Sequence, residues 1–178
     1  MSLKHQEYQT KLIEIGEALG YDSRRSFRKN AMGDAVWLEQ MSAKYARTTL
    51  PIAAFKILCF ETGKEIREGL MTLQVISPAL GVLVVIEEEY ARRAQELKKY
   101  DAETYPQHIR RLAERIKRVV ELTFRVEVWG QAEVDRLYRE HVEEMLPLKQ
   151  PKVRKRRKAI KRPIPRPLPQ RERGEGIL

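Results

Sequence analysis

The sequence has one cysteine, Cys59, and one asparagine, Asn30. A lone cysteine excludes an internal disulfide and any zinc site built on cysteines. Its place in an apolar run points to a small buried hydrophobe rather than a reactive thiol. Histidine is almost as scarce. His5, His108 and His141 are scattered, and none forms an HxxxH or HExxH pair, so the usual zinc-hydrolase patterns are missing. Three surface histidines are the expectation. No GxSxG elbow accompanies a serine, and no glycine-rich phosphate loop follows a candidate strand. The longest strongly apolar run, "GVLVVI" at 81–86, is far short of the ~20 residues that cross a bilayer. The opening "MSLKHQEYQTKL" lacks the apolar core of a signal peptide. These absences predict a soluble, cytoplasmic protein with no membrane partner.

Basic charge is present in excess, and it is segregated. The chain carries 35 Lys and Arg against 25 Asp and Glu, a net charge of +10. Residues 149–178 hold twelve of those cations and only two acids, Glu172 and Glu175, so residues 1–148 are balanced. From Pro147 the composition also changes: a basic block is followed by "RPIPRPLP" (162–169). Alternating prolines favour an extended polyproline conformation, and nothing in this stretch has an apolar pattern to bury. The expected organisation is therefore a folded domain over 1–146 and a disordered, basic, proline-rich tail over 147–178.

Within the domain, apolar spacing predicts the elements. Leu3, Tyr8, Leu12, Ile15 and Leu19 recur mostly at three- and four-residue steps, which predicts a helix over 3–19 stopped by Gly20. A polar segment with a short edge strand near Phe27 comes next, then strands at "DAVWLE" (34–39) and "PIAAFKILCF" (51–60). A helix over 61–76 carries the stripe Ile66, Leu70, Leu73 and Ile76, and Ser77-Pro78 ends it. "GVLVVI" has the β-branched, continuous character of a central strand covered on both faces. A charged helical region over about 87–121 is broken near Tyr105-Pro106. "TFRVEVW" (123–129) alternates as a strand, and 131–146 closes the domain as a helix. The order predicts a three-layer α/β domain with a central mixed β-sheet flanked by helices.

One feature is out of place in this pattern. Lys56 stands in the middle of the apolar strand "LPIAAFKILCF", where an ammonium group is costly unless it reaches water or a partner. It has several readings: a lysine snorkelling from a sheet edge, an ion pair with Asp34, or part of a reactive site. Glu14 on the first helix reads equally as a solvated side chain, and Asp34 as a turn residue after Gly33. Thr62 with Glu65 three residues on reads as a helix-starting capping box, with Glu61 just before it. Lys64 and Gln74 read as surface positions.

The passages "HQEYQTKLIEIGEALGY", "GDAVWLE" and "LPIAAFKILCFETGKEIREGLMTLQVISPALGVLVV" together resemble the PD-(D/E)xK, or restriction-endonuclease-like, nuclease superfamily. The resemblance covers about residues 5–86. It implies an acid on the first helix (Glu14), a metal-binding Asp opening a strand (Asp34), and a (D/E)-x-K pair on the next strand. Carboxylates so placed hold Mg²⁺, which activates water and stabilises the in-line displacement at phosphorus, while a lysine steadies the same charge. The chain departs from that pattern: the acid and lysine slots fall on Lys56 and Leu58. The resemblance thus implies a nucleic-acid-binding protein with a catalytically impaired, nuclease-like core. The alternative is an active Mg²⁺-dependent DNA endonuclease using Glu14, Asp34 and Lys56 in a rearranged site, with homodimerisation as in related nucleases. In the tail, Lys152, Arg154, Lys155, Arg156, Arg157, Lys158, Lys161 and Arg162 are the expected phosphate-binding cations. DNA is the favoured partner over RNA, and an acidic protein partner for the tail is a third reading.

Overall fold

The computed structural model describes residues 2–25, 27, 33–43, 46–98 and 100–144. The chain divides into two units, Met1–Leu148 and Lys149–Leu178. The second, with all eight tail cations named above, lies outside the described residues, as does the end of the predicted last helix.

The first unit is a five-stranded mixed sheet with helices on both faces. Its elements run α1 (Leu3–Ala18), β1 (Asp22–Arg24), β2 (Ala35–Ala43), β3 (Ala46–Leu58), α2 (Gly63–Ile76), β4 (Leu80–Val85), α3 (Glu87–Leu97), α4 (Tyr105–Val119), β5 (Arg125–Trp129) and α5 (Gln131–Tyr138). A π-helical turn, Arg139–Glu143, extends α5. The strands lie in chain order, with β1–β2 and β2–β3 antiparallel and β3–β4 and β4–β5 parallel. The short strand expected near Phe27 falls at Asp22–Arg24 instead, where it pairs with Trp37 and its neighbours. Phe27 packs against the core on the α2 side.

Alternation along the strands sorts the core into two layers. One holds Val36, Leu38, Ala54, Leu58, Leu83 and Val85 under α2 and α4. The other holds Ala35, Trp37, Phe55, Ile57, Val82 and Val84 under α1 and α5. Because β4 serves both layers, Val82, Leu83, Val84 and Val85 are all fully buried, each worth about 1.5–3 kcal/mol of transfer free energy. That double duty explains its lack of alternation.

Helix α1 is stopped as expected: Gly20 takes a φ of +91°, open to glycine at little cost. The predicted stripe is shifted, however. Tyr8, Leu12 and Ile15 are buried, but Leu3 is 86 % exposed and Leu19 sits half out beyond the helix. The helix settles closely on the sheet at Gly16. A β-carbon there would stand 2.1 Å from Ser23 Oγ and 2.5 Å from the Trp37 ring. Trp37 Nε1–H donates to the Leu12 carbonyl at 2.7 Å, fixing the same contact. At α2, Glu65 folds back to accept from the Thr62 N–H (2.7 Å) and hydroxyl (2.9 Å), the helix start the sequence predicts. Pro106 opens α4 in its first turn, where its missing N–H costs nothing.

Candidate functional site

The antiparallel pairing of β2 and β3 begins at Ala35 opposite Phe55. Asp34 is the residue just before it, and its backbone N–H donates to the Phe55 carbonyl at 2.9 Å. One step further along β3 lies Lys56. The Lys56 side chain falls on the α2 face, since the flanking Ala54 and Leu58 point there. The Lys56 stem is accommodated by Gly69 of α2, where a β-carbon would come within 3.0 Å of Lys56 Cγ.

The result is a cluster centred on a buried carboxylate. Asp34 is 8 % exposed. Lys56 Nζ lies 3.3 Å from Asp34 Oδ2 and 3.5 Å from Oδ1. His5 Nε2 lies 3.3 Å from Oδ1. The Ile57 backbone N–H donates to Oδ2 at 2.7 Å. The loop carrying Asp34 is anchored as well, because Gln9 Nε2 donates to the Asp34 carbonyl at 2.7 Å. Burial pushes the Asp34 carboxyl up, yet the His5 hydrogen bond, the Lys56 charge and the Ile57 N–H outweigh it. The group is held below its ordinary value of 3.8.

His5 is thus not a surface residue, contrary to the expectation for all three histidines. It is buried at 7 % exposure, and its Nδ1 has no hydrogen-bond partner. Neither His5 nor Gln9 carries a motif or an apolar side chain that marks it in the sequence. The usable signal was the continuation of the Tyr8–Leu12–Ile15 stripe by three-residue steps toward the N-terminus, which lands on Gln9 and His5.

Glu14 is engaged elsewhere. Its carboxylate accepts from the Tyr138 hydroxyl at 2.7 Å, in the seam between α1 and α5. The same seam holds the Asp135 contacts with Tyr8 (3.0 Å) and Lys11 (2.8 Å). So the structure brings Lys56 to Asp34, and the α1 side chains that reach the cluster are His5 and Gln9.

Glu61 has a structural task close by. β3 runs three residues past its last β2 partner, so N–H groups on that side need other acceptors. Asp34 takes that of Ile57, and Glu61 Oε2 takes those of Cys59 (2.5 Å) and Phe60 (2.8 Å). Burial, together with the neighbouring Glu61 and Glu89 carboxylates, pushes the Cys59 thiol up to about 12, so it remains an inert thiol. Lys64 is exposed and pairs with Glu68 at 3.8 Å. Gln74 ties α2 to Thr123 at 3.0 Å.

A divalent cation needs several free oxygens around it. Here both Asp34 oxygens are already bound by donors, one of them an ammonium, and Glu61 is committed to backbone. Among the described residues, no group of three or more His, Cys, Asp and Glu is placed to hold a metal ion. The residues present therefore do not fit Mg²⁺, and the cluster is a hydrogen-bonded knot joining α1, β2, β3 and α2. Among the described residues, no helix is long and apolar enough to cross a membrane. No family model, no curated protein and no solved structure matches this chain.

Proposed function

We propose that the chain is a nucleic-acid-binding protein. Its restriction-endonuclease-like core keeps the frame of a phosphodiesterase site without the metal, and its tail grips the phosphate backbone. The observation that carries this reading is charge segregation: twelve cations in the last thirty residues beside a balanced domain. So dense a run of Lys and Arg binds phosphates by releasing counterions, with strong salt dependence and little sequence preference. The core's part in the reading is supported by Asp34 immediately before β2 and Lys56 on the adjoining strand, followed by α2 and the buried parallel strand β4. The ammonium standing where the resemblance puts a metal-binding acid supports a silent site.

Two outcomes are expected. In the full chain, replacing Lys152, Arg154, Lys155, Arg156, Arg157 and Lys158 by Gln weakens binding to a DNA duplex at least about tenfold near 0.1 M salt. The slope of log affinity against log salt should become shallower by up to about 5. Unchanged affinity and slope, read by fluorescence anisotropy, would remove the tail from the function. Second, incubation of supercoiled plasmid with the protein and Mg²⁺ or Mn²⁺ should give no nicking above background. Robust metal-dependent cleavage that disappears in Asp34→Asn would establish the active-endonuclease alternative instead.

A further inference from the structure

The domain of residues 1–148 is balanced in charge, but its balance is uneven in space. Among the described residues, ten of its lysines and arginines are in ion pairs. Lys11 meets Asp135, Arg92 meets Glu89, Arg110 meets Glu133, and Lys117 meets Glu114. Arg67 of α2 and Arg111, Arg115 and Arg118 of α4 are exposed, and among the described residues they make no ion pair or hydrogen bond. On α4 these three are spaced four and three residues apart, so they form one row along the helix.

Arg115 of that row, with Arg67 of α2, borders a groove of about 560 Å³ between the start of α2 and the end of α4. Its floor is aliphatic: Leu112, Ile116, Val119 and Val120. Leu112, Ile116 and Val120 are partly buried against the core beneath, while Val119 stands 79 % exposed. Lys64, Arg67 and Arg115 form the rim. A small aliphatic trough edged by unneutralised guanidinium groups is the complement of an amphipathic segment with acidic flanks.

The geometry points to this groove as a docking site for an acidic amphipathic segment of a partner protein. The segment inserts one or two apolar side chains between α2 and α4, and its carboxylates pair with Arg67 and Arg115 on the rim. Helix-in-groove recognition has this division of labour, with apolar anchors giving depth and rim charges giving orientation. Planar guanidinium groups suit carboxylates in two-point contact. The chain's own tail is excluded as occupant by like charge, since it brings twelve cations and two acids. Nucleic acid is a poorer fit to the trough. No aromatic side chain lines it to stack a base, and an aliphatic floor gives phosphate nothing.

The test uses the full chain and two fluorescent peptides of about 18 residues with equal charge. One is a Glu-rich helix with Leu at three- and four-residue steps, and the other has every Leu replaced by Ser. The first should bind at least about tenfold more tightly than the second. The double variant Arg115→Glu/Val119→Ser alters only exposed positions, so its thermal melt should match the parent. It should lose about tenfold in affinity for the Leu peptide and far less for the Ser peptide. Equal binding of the two peptides, or unchanged binding of the Leu peptide by the double variant, would overturn the proposal. So would a double variant that loses affinity for a DNA duplex in place of the Leu peptide, which would assign the groove to nucleic acid.

Discussion

Asp34→Ala should destabilise the protein by about 3 kcal/mol and lower Tm by roughly 10 °C. Three donors converge on that carboxylate: Lys56, His5 and the Ile57 N–H. Without it the Ile57 N–H is left buried with no acceptor, and His5, whose Nδ1 already has no partner, loses its only one. Lys56 suffers least, because its side chain is 26 % exposed and reaches water. Asp34→Asn keeps an acceptor for Ile57 and should cost about half as much. The sign is diagnostic. A carboxylate kept for a metal is strained when no metal is bound, and its removal leaves stability unchanged or raised. Chemical denaturation of the two variants separates the cases.

The same pairing has a pH signature. The native Asp34 carboxyl titrates below its ordinary value of 3.8. Its contribution to stability is therefore complete above that pH and is lost as pH falls through the native value. The stability gap between the parent and Asp34→Asn should accordingly shrink as the pH falls below about 3.8. A gap that holds steady into strong acid would mean the carboxylate contributes nothing through its charge.

The second large effect is Gly16→Ala. Helix propensity alone predicts stabilisation, by as much as ~1 kcal/mol for an interior glycine. The packing predicts the opposite. The new methyl would stand 2.1 Å from Ser23 Oγ and 2.5 Å from two atoms of the Trp37 ring, so α1 must lift from β1 and β2. Overpacking of this kind costs about 1–3 kcal/mol, and the loss of the Trp37 hydrogen bond to Leu12 adds about 1 more. Set against the propensity gain, a net loss of about 1–3 kcal/mol is expected. Since Ser23 Oγ is buried without a partner, Ser23→Ala should be nearly neutral alone and should recover part of the loss in the double variant. A Gly16→Ala chain as stable as the parent would show that α1 does not seat through this contact.

Where burial leaves a periodic trace, the sequence was readable. The β-branched run of β4, the stripe of α2 and the capping box at Thr62 all carry their own signal, and the mixed sheet with flanking helices followed from their order. The β2–β3 hairpin was harder, since its pairing continues from Glu39 to Leu50. Glu39, Gln40, Thr49 and Leu50 are exposed there, so those positions carry no alternation of a buried face. The cluster was half legible. Lys56 announces itself because an ammonium is conspicuous in an apolar strand. His5 and Gln9 do not, because polar residues on a polar helix look the same whether they face water or a buried carboxylate. Their role is set by where α1 docks, and that depends on distant residues such as Gly16 and Trp37.

The carboxylates that close the free side of β3 have one more consequence. Among the described residues β3 has no strand partner on its β2 side beyond the Ala35–Phe55 pair, and a bare strand margin is a template on which another chain's strand can add. Asp34 and Glu61 occupy the N–H groups of Ile57, Cys59 and Phe60. An incoming strand finds those donors taken and meets negative charge instead. The same side chain that knots the four elements together thereby protects the sheet from growing into its neighbours.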